Sequence, residues 1–159
     1  MRNKFDEQLF ELNRELIEMG SMCEEAIAQV AKALTMGDVE LAKNIKEDAS
    51  GIDQMERDIE RRCMRLLLHQ QPVARDLRLI SAALKMITDM ERIGDMAEDI
   101  AEIVGFLNGH TMDGMEMVLE MALETSKMVN ASVDAFVKKD IELAKAKLAR
   151  ALNRLKIAQ

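Results

Sequence analysis

The sequence predicts an all-α fold, a long antiparallel helical bundle, and three observations lead to this prediction. Apolar residues recur at alternating spacings of three and four along most of the 159 residues, as in amphipathic helices. The chain contains one Pro and seven Gly, so few positions interrupt a helix. No stretch shows the apolar–polar alternation of a half-buried strand.

The first predicted helix runs from about Asn3 to Leu34. Gly37 is a typical C-terminal stop, and Asp38 is a good N-cap for the second helix. The apolar stripe of the first helix consists of Phe5, Leu9, Leu12, Leu16, Met19, Cys23, Ala26, Val30 and Ala33.

The second predicted helix covers about Val39 to His69, and we expect its last turn, Leu66 to His69, to be well buried. Its stripe consists of Leu41, Ile45, Ala49, Ile52, Met55, Ile59, Cys63 and Leu66. Cys23 and Cys63 lie on apolar stripes, which predicts two buried, reduced thiols.

The third predicted helix runs from about Val73 to Leu107, after a break at residues 70–72. Pro72 suits the first position of a helix, and Gln71 is biased away from helical angles because a proline follows it. The predicted stripe is Leu79, Ala83, Met86, Met90, Ile93, Ala97, Ile100 and Val104.

The fourth helix is predicted from about Gly114 to Lys138, and Asp140 is the expected cap of a fifth helix that ends near Ile157. Residues 33–43 align with residues 135–145, with an aspartate cap at the same place in each, which indicates an internal repeat. We therefore predict a complete three-helix unit over residues 1–110. Residues 111–159 form an incomplete second unit, packed on or completed by another chain.

The third helix stacks carboxylates at spacings of three and four, where like charges repel by roughly 0.2–0.5 kcal/mol per pair. Carboxylate oxygens suit hard cations such as Mg²⁺, Ca²⁺, Mn²⁺ and iron. One helix supplies too few ligands, so Asp53, Glu56 or Glu60 of the second helix, water or a second chain must complete the site. The candidate metal ligands are Glu91, Asp95, Glu98, Asp99, Asp53 and Glu56. The alternative is a solvated acidic face with Arg92 and Lys85 as partial counter-charges.

Composition excludes several classes of function. A net charge of −7 argues against binding to nucleic acid or to an anionic membrane surface. No apolar run approaches the roughly 20 residues of a membrane span, and charges interrupt the N-terminus, so a cytoplasmic protein is expected. The sequence contains no Gly-rich phosphate loop and no Cys-x-x-Cys, and an enzyme is not predicted.

The sequence resembles the PhoU family of phosphate-transport regulators over Met1 to about Lys145. The second helix fits that family through Asp38, Asp48, Ile52, Asp53 and Glu56. The motifs that carry the resemblance are Gln71-Pro72, Arg75-Asp76-Leu77-Arg78, Glu91-Arg92-Ile93-Gly94-Asp95 and Asp99-Ile100-Ala101.

The resemblance implies a PhoU-like bundle that damps phosphate uptake and the phosphate-starvation response. Such a protein would act as an adaptor between a phosphate ABC transporter ATPase and a sensor histidine kinase, at the inner face of the membrane through these partners. It also implies that Glu91 and Asp95 belong to a motif that binds metal ions or iron clusters. The family has two such motifs, and this chain has one.

Two other functions stay open from the residues alone. One is a helical oligomerisation module with no metal role, and the other is a metal-storage bundle, against which the absence of Glu-x-x-His counts. An uncovered apolar flank predicts a homodimer or larger assembly. The candidates for that flank are Met117, Met121, Met128 and Leu148.

Overall fold

The structure, a computed structural model, describes residues 2–69 and 72–157, and gives the backbone alone at residues 2, 3, 69, 147, 148, 151, 152 and 154–157. The described residues form α-helices and no strand, which confirms the all-α prediction. The helices are α1 (Arg2–Met36), α2 (Val39–His69), α3 (Ala74–Leu107), α4 (Met115–Lys138) and α5 (Ile141–Ile157). Within the described ranges, no helix is both long and apolar enough to cross a lipid bilayer.

Helix α1 is the centre of the bundle, because it packs against α2, α3 and α4. Its predicted stripe is the core: Leu12, Leu16, Met19 and Cys23 are all 0% exposed. Helix α4 approaches α1 closely, since a Cβ on Gly20 would lie 3.1 Å from Cγ2 of Val133. Among the described elements, α5 contacts α4 alone.

The two predicted aspartate caps are confirmed, and their turns are alike. The Asp38 carboxylate accepts a hydrogen bond from the N–H of Leu41 at 2.9 Å, and the Asp140 carboxylate accepts one from Leu143 at 2.8 Å. The N–H of each aspartate donates to the carbonyl of an alanine in the preceding helix, at 2.9 Å in both turns. The division into units at residues 110 and 111 stays a prediction.

Two local predictions around the α2–α3 connection are wrong. Leu66 is buried, but Leu68 is 72% exposed, because α2 packs against α1 and α3 and its remaining face is open to solvent. Residues two apart on a helix face different directions. Helix α3 begins at Ala74 with Val73 as its N-cap, so Pro72 precedes the helix. The prediction for Gln71 lies outside the described residues.

The buried stripe of α3 also differs from the predicted stripe at every second position. Ala83, Met90, Ala97 and Val104 are buried as predicted. The other four predicted residues are half-buried: Leu79, Met86, Ile93 and Ile100. The residue that follows each of them is buried instead: Ile80, Ile87, Gly94 and Ala101. The reason is that α3 packs against both α2 and α1, so a wider arc of the helix is covered than in a two-helix seam.

Candidate functional site

Three carboxylates meet where α2 and α3 pack together. Asp53 on α2 and Glu91 and Asp95 on α3 each present an oxygen atom, and these three atoms lie within 4.8 Å of one another. Glu91 and Asp95 are four residues apart, so they lie one turn apart on the same face of α3. The site therefore joins two helices that come from different parts of the chain.

The close packing of α2 and α3 at this site depends on a glycine. A Cβ on Gly94 would lie 3.2 Å from Cδ1 and 3.3 Å from Cγ2 of Ile52. Asp95 directly follows Gly94, and Asp53 directly follows Ile52. The absence of a side chain at Gly94 thus lets the two helices approach until their carboxylates can share one ligand.

The pKa of Glu91 reflects the electrostatics of the site. Its pKa is raised above the ordinary value, first by burial, then by the negative charges of Asp95 and Glu56, a hydrogen bond with Asp95 and the charge of Asp53. Glu56 therefore lies near the three carboxylates, and it accepts a hydrogen bond from Thr88 Oγ1 at 3.2 Å. The site concentrates negative charge on two half-buried residues, Asp53 and Glu91, and on the exposed Asp95.

One cation compensates part of this charge, and another pairs with an acid outside the group. Arg57 lies 3.6 Å from Asp53 Oδ2, and Lys46 lies 3.2 Å from Glu98 Oε1. Arg92 was predicted to be a counter-charge of the acidic face, but its nearest ion-pair atom Nη1 lies 4.0 Å from Oδ1 of Asp89. The spacing of four between Asp53 and Arg57 could have predicted the first pair. The second pair depends on the register between α2 and α3, which the sequence does not show.

The structure therefore places four of the six candidate ligands together and two of them apart. Asp53, Glu91 and Asp95 are brought together, and Glu56 lies beside them. The remaining two do not join the group: Glu98 is paired with Lys46, and Asp99 is exposed. The three grouped carboxylates fit a hard cation, because they offer only oxygen ligands, and water would complete the coordination.

Comparison with known proteins shows what the chain resembles. The PhoU domain matches residues 16–104, which contain all six candidate residues. A "Phosphate-specific transport system accessory protein PhoU homolog" from Clostridium acetobutylicum is 39% identical over 145 residues, which cover 90% of this chain and 66% of that protein. One of the same description from Pseudomonas aeruginosa is 36% identical over 89% of this chain and 59% of its own length.

The fold is shared with a solved structure. The crystal structure of PhoU from Pseudomonas aeruginosa matches with a TM-score of 0.82 at 32% identity, over 97% of this chain and 79% of that chain. This match confirms the predicted bundle architecture. The chain spans between 59% and 66% of the length of the two curated relatives above.

Proposed function

The chain belongs to the PhoU family, and from this membership we propose that it is a regulatory accessory protein of phosphate transport. The observation that carries the proposal is the family match over residues 16–104, together with relatives described as accessory proteins of the phosphate-specific transport system. We propose further that the chain acts in the cytoplasm as an adaptor between the transporter ATPase and a sensor histidine kinase. In this role it would damp phosphate uptake and the starvation response.

Co-purification tests the adaptor proposal. The tagged chain is mixed with the purified ATPase of the organism's phosphate importer, or with the cytoplasmic part of the kinase, and the retained complex is quantified. An ATPase from an importer of another substrate is the matched control. We expect stoichiometric retention of the phosphate-importer ATPase and of the kinase fragment, and no retention of the control ATPase. If neither the ATPase nor the kinase is retained, the adaptor proposal fails.

We propose that Asp53, Glu91 and Asp95 bind a divalent metal ion, with Glu56 as a neighbouring ligand from α2. Support comes from the grouping of three carboxylate oxygens and from the raised pKa of Glu91, which burial and then the neighbouring carboxylates cause. A bound cation would relieve the repulsion among these carboxylates. A bound ion stabilises the folded state by mass action, about 2.7 kcal/mol at a hundredfold excess over its Kd.

Thermal melting with Mn²⁺, Fe²⁺, Mg²⁺ and Zn²⁺ tests the metal proposal. We expect at least one ion to raise the Tm of the native chain and to have no effect on Glu91→Gln with Asp95→Asn. The control, Asp99→Asn with Glu102→Gln, removes the same charge from exposed positions of α3 and should keep the shift. The alternative, an oligomerisation module without a metal role, predicts no shift for any variant.

We also propose that the chain forms a homodimer or larger assembly. Of the flank predicted from the sequence, Met117 and Met121 are 68% and 64% exposed, and Met128 is 38% exposed. The side chain of Leu148 lies outside the described part of the chain. Light scattering at micromolar concentration measures the mass, and a monomer would refute self-association.

A further inference from the structure

Thr88 links α3 to α2 beside the three carboxylates. Its hydroxyl oxygen Oγ1 donates a hydrogen bond to Oε1 of Glu56 at 3.2 Å. Thr88, Glu91 and Asp95 stand at positions i, i+3 and i+7 of α3, so they share one face of that helix. Asp53 and Glu56 are three residues apart and share one face of α2. The hydrogen bond therefore joins the two helix faces that carry the site.

Two contacts set the register in which these faces meet. At the first, a Cβ on Gly94 would lie 3.2 Å from Cδ1 of Ile52, and the second is the hydrogen bond between Thr88 and Glu56. Residue numbers rise along α2 from one contact to the other and fall along α3, as they do in antiparallel helices. Close packing thus fixes one end of the site, and a polar contact fixes the other.

The Thr88 hydroxyl has a second acceptor within reach. The carbonyl oxygen of Leu84, four residues earlier in α3, lies 3.3 Å from Oγ1, which is the usual bond of a threonine to its own helix. A hydroxyl has one hydrogen to donate. A hydrogen bond to a carboxylate is roughly twice as strong as one to a neutral acceptor, so Glu56 is the favoured partner.

The Glu56 carboxylate keeps one oxygen atom for another ligand. Oε1 accepts from Thr88, and Oε2 has no hydrogen-bond or ion-pair partner among the residues that the structure describes. The pKa of Glu91 shows that this carboxylate is close to the site. Burial raises that pKa most, and among the neighbouring charges Glu56 follows Asp95 and precedes Asp53. Glu56 is therefore held beside the group with an oxygen to spare.

We propose that Thr88 is a positioning residue, which holds Glu56 through Oε1 so that Oε2 serves as a fourth carboxylate ligand of the bound metal ion. The inference rests on the proposed metal site and deepens it, because it names the group that orients a ligand from α2. Hydrogen-bond donors that orient a ligating carboxylate matter for affinity, and their loss typically weakens metal binding by about 10–100-fold.

Substitution of Thr88 tests this role through metal affinity. Isothermal titration calorimetry measures the Kd of the full chain for Mn²⁺, Fe²⁺, Mg²⁺ and Zn²⁺, each added alone. Thr88→Val keeps the branched shape and loses the hydroxyl, and we expect it to weaken binding by about tenfold. Thr88→Ser keeps the hydroxyl and should bind like the native chain.

Thr125 on α4 provides the matched control. Its exposed hydroxyl donates to the carbonyl oxygen of Met121 at 2.8 Å, a bond within its own helix. Thr125→Val makes the same chemical change without touching a carboxylate, so we expect an unchanged Kd. Circular dichroism checks that every variant keeps its helices.

A double-mutant cycle shows whether Thr88 acts through Glu56. Glu56→Ala removes the proposed ligand and should itself weaken binding. In that background we expect Thr88→Val to change the Kd by less than about twofold, because a residue whose only role is to orient Glu56 has nothing left to orient. An equal loss in both backgrounds would mean that Thr88 acts on the site by another route, and the inference would be overturned.

The outcomes separate this inference from the metal proposal. If the native chain binds an ion and Thr88→Val binds it equally well, or Thr88→Ser does not restore binding, the inference alone is overturned. If Glu56→Ala binds like the native chain, Glu56 is not a ligand, and the inference fails while the site of Asp53, Glu91 and Asp95 stands. If no ion binds the native chain, the metal proposal fails and the inference fails with it.

Discussion

Glu91 shows how a single residue links the packing of two helices to the chemistry of the site. Burial reduces the hydration of its carboxyl, which also lies among the negative charges of Asp95, Glu56 and Asp53. Both effects raise its pKa, so the folded state binds a proton at Glu91 more tightly than the unfolded chain does. The charged site therefore opposes folding unless a cation is bound.

The first prediction concerns Glu91→Gln in metal-free buffer. The pKa of Glu91 is higher in the folded state than in the unfolded chain. The contribution of this proton to the free energy of unfolding is therefore fully present below the unfolded pKa, and it is lost as the pH rises through the folded pKa. At about pH 7 the variant should be more stable by a few tenths of a kcal/mol. The difference should vanish below the ordinary Glu pKa of about 4.3.

Urea unfolding at the two pH values measures this difference. Glu102→Gln is the control, because it removes an exposed carboxylate from the same helix. A stability gain that persists or grows at low pH would show that repulsion at Glu91 is not its source.

The second prediction concerns Gly94, which sets the distance between α2 and α3. Gly94→Leu should lower the free energy of unfolding by about 1–3 kcal/mol, because the side chain must displace Ile52. It should also remove the metal-induced melting shift, since Asp53 moves away from Asp95. Gly105→Leu is the matched control in the same helix, where a Cβ has nothing within 4 Å. Equal destabilisation of both variants would contradict a specific role for Gly94.

At the residue scale, local spacing predicted part of the site. Glu91 and Asp95 could be paired from sequence because four residues make about one helical turn. Asp53 was a candidate, but its place beside them depends on the contact between Ile52 and Gly94, which no local pattern reveals. Asp99 was included as an acid on the same helix, yet it is exposed and outside the group.

At the scale of elements, one polar network fixes α2 against α1. The Arg62 guanidinium donates two hydrogen bonds of 2.6 Å to the Glu15 carboxylate and one of 3.1 Å to Gln8. The side chains of Arg62 and Glu15 are only 16% and 14% exposed. A bidentate pair with little solvent access is strong, and it specifies the register between the two helices.

The third prediction follows from this network. Arg62→Met should lower the free energy of unfolding by about 2 kcal/mol, because it leaves the Glu15 carboxylate largely buried without its cation. Adding Glu15→Leu should recover most of that loss. Arg14→Met is the control, since Arg14 pairs with Glu11 in solvent and should change stability by at most about 0.5 kcal/mol. Chemical denaturation of the native chain and the three variants shows whether the loss at Arg62 exceeds the loss at Arg14.

The bounds of the elements were more predictable than their packing. Asp38 and Asp140 predict helix starts because their carboxylates accept hydrogen bonds from free backbone N–H groups. This effect is local, so the sequence alone reveals it. The true seam of α3 was missed at Ile80 and Ile87, because it depends on how many neighbours the helix contacts. Sequence periodicity gives the buried face of a helix, and tertiary packing decides how wide that face is.

At the scale of the whole molecule, α1, α2, α3 and α4 share one core, and α1 contacts each of the other three. The cluster of buried side chains includes residues of α1, α2 and α3 and reaches Val133 on α4. Cys23 lies in this core, where its S–H donates to the carbonyl of Met90 on α3 at 3.4 Å. Cys63 occupies the core from α2. The two thiols, buried as predicted, are therefore separate reporters of the same interior.

The last prediction uses these thiols to test whether the bundle unfolds as one unit. Burial raises the pKa of Cys23 to about 12 and that of Cys63 to about 11, so neither forms much thiolate at pH 8. We expect an aromatic disulfide reagent to modify both thiols at one rate, equal to the rate of global unfolding measured by circular dichroism. Cys23→Ala and Cys63→Ala assign the rate of each thiol. A faster Cys63 would mean that α2 opens while α1 and α3 stay packed, and the three-carboxylate site between α2 and α3 would then open with it.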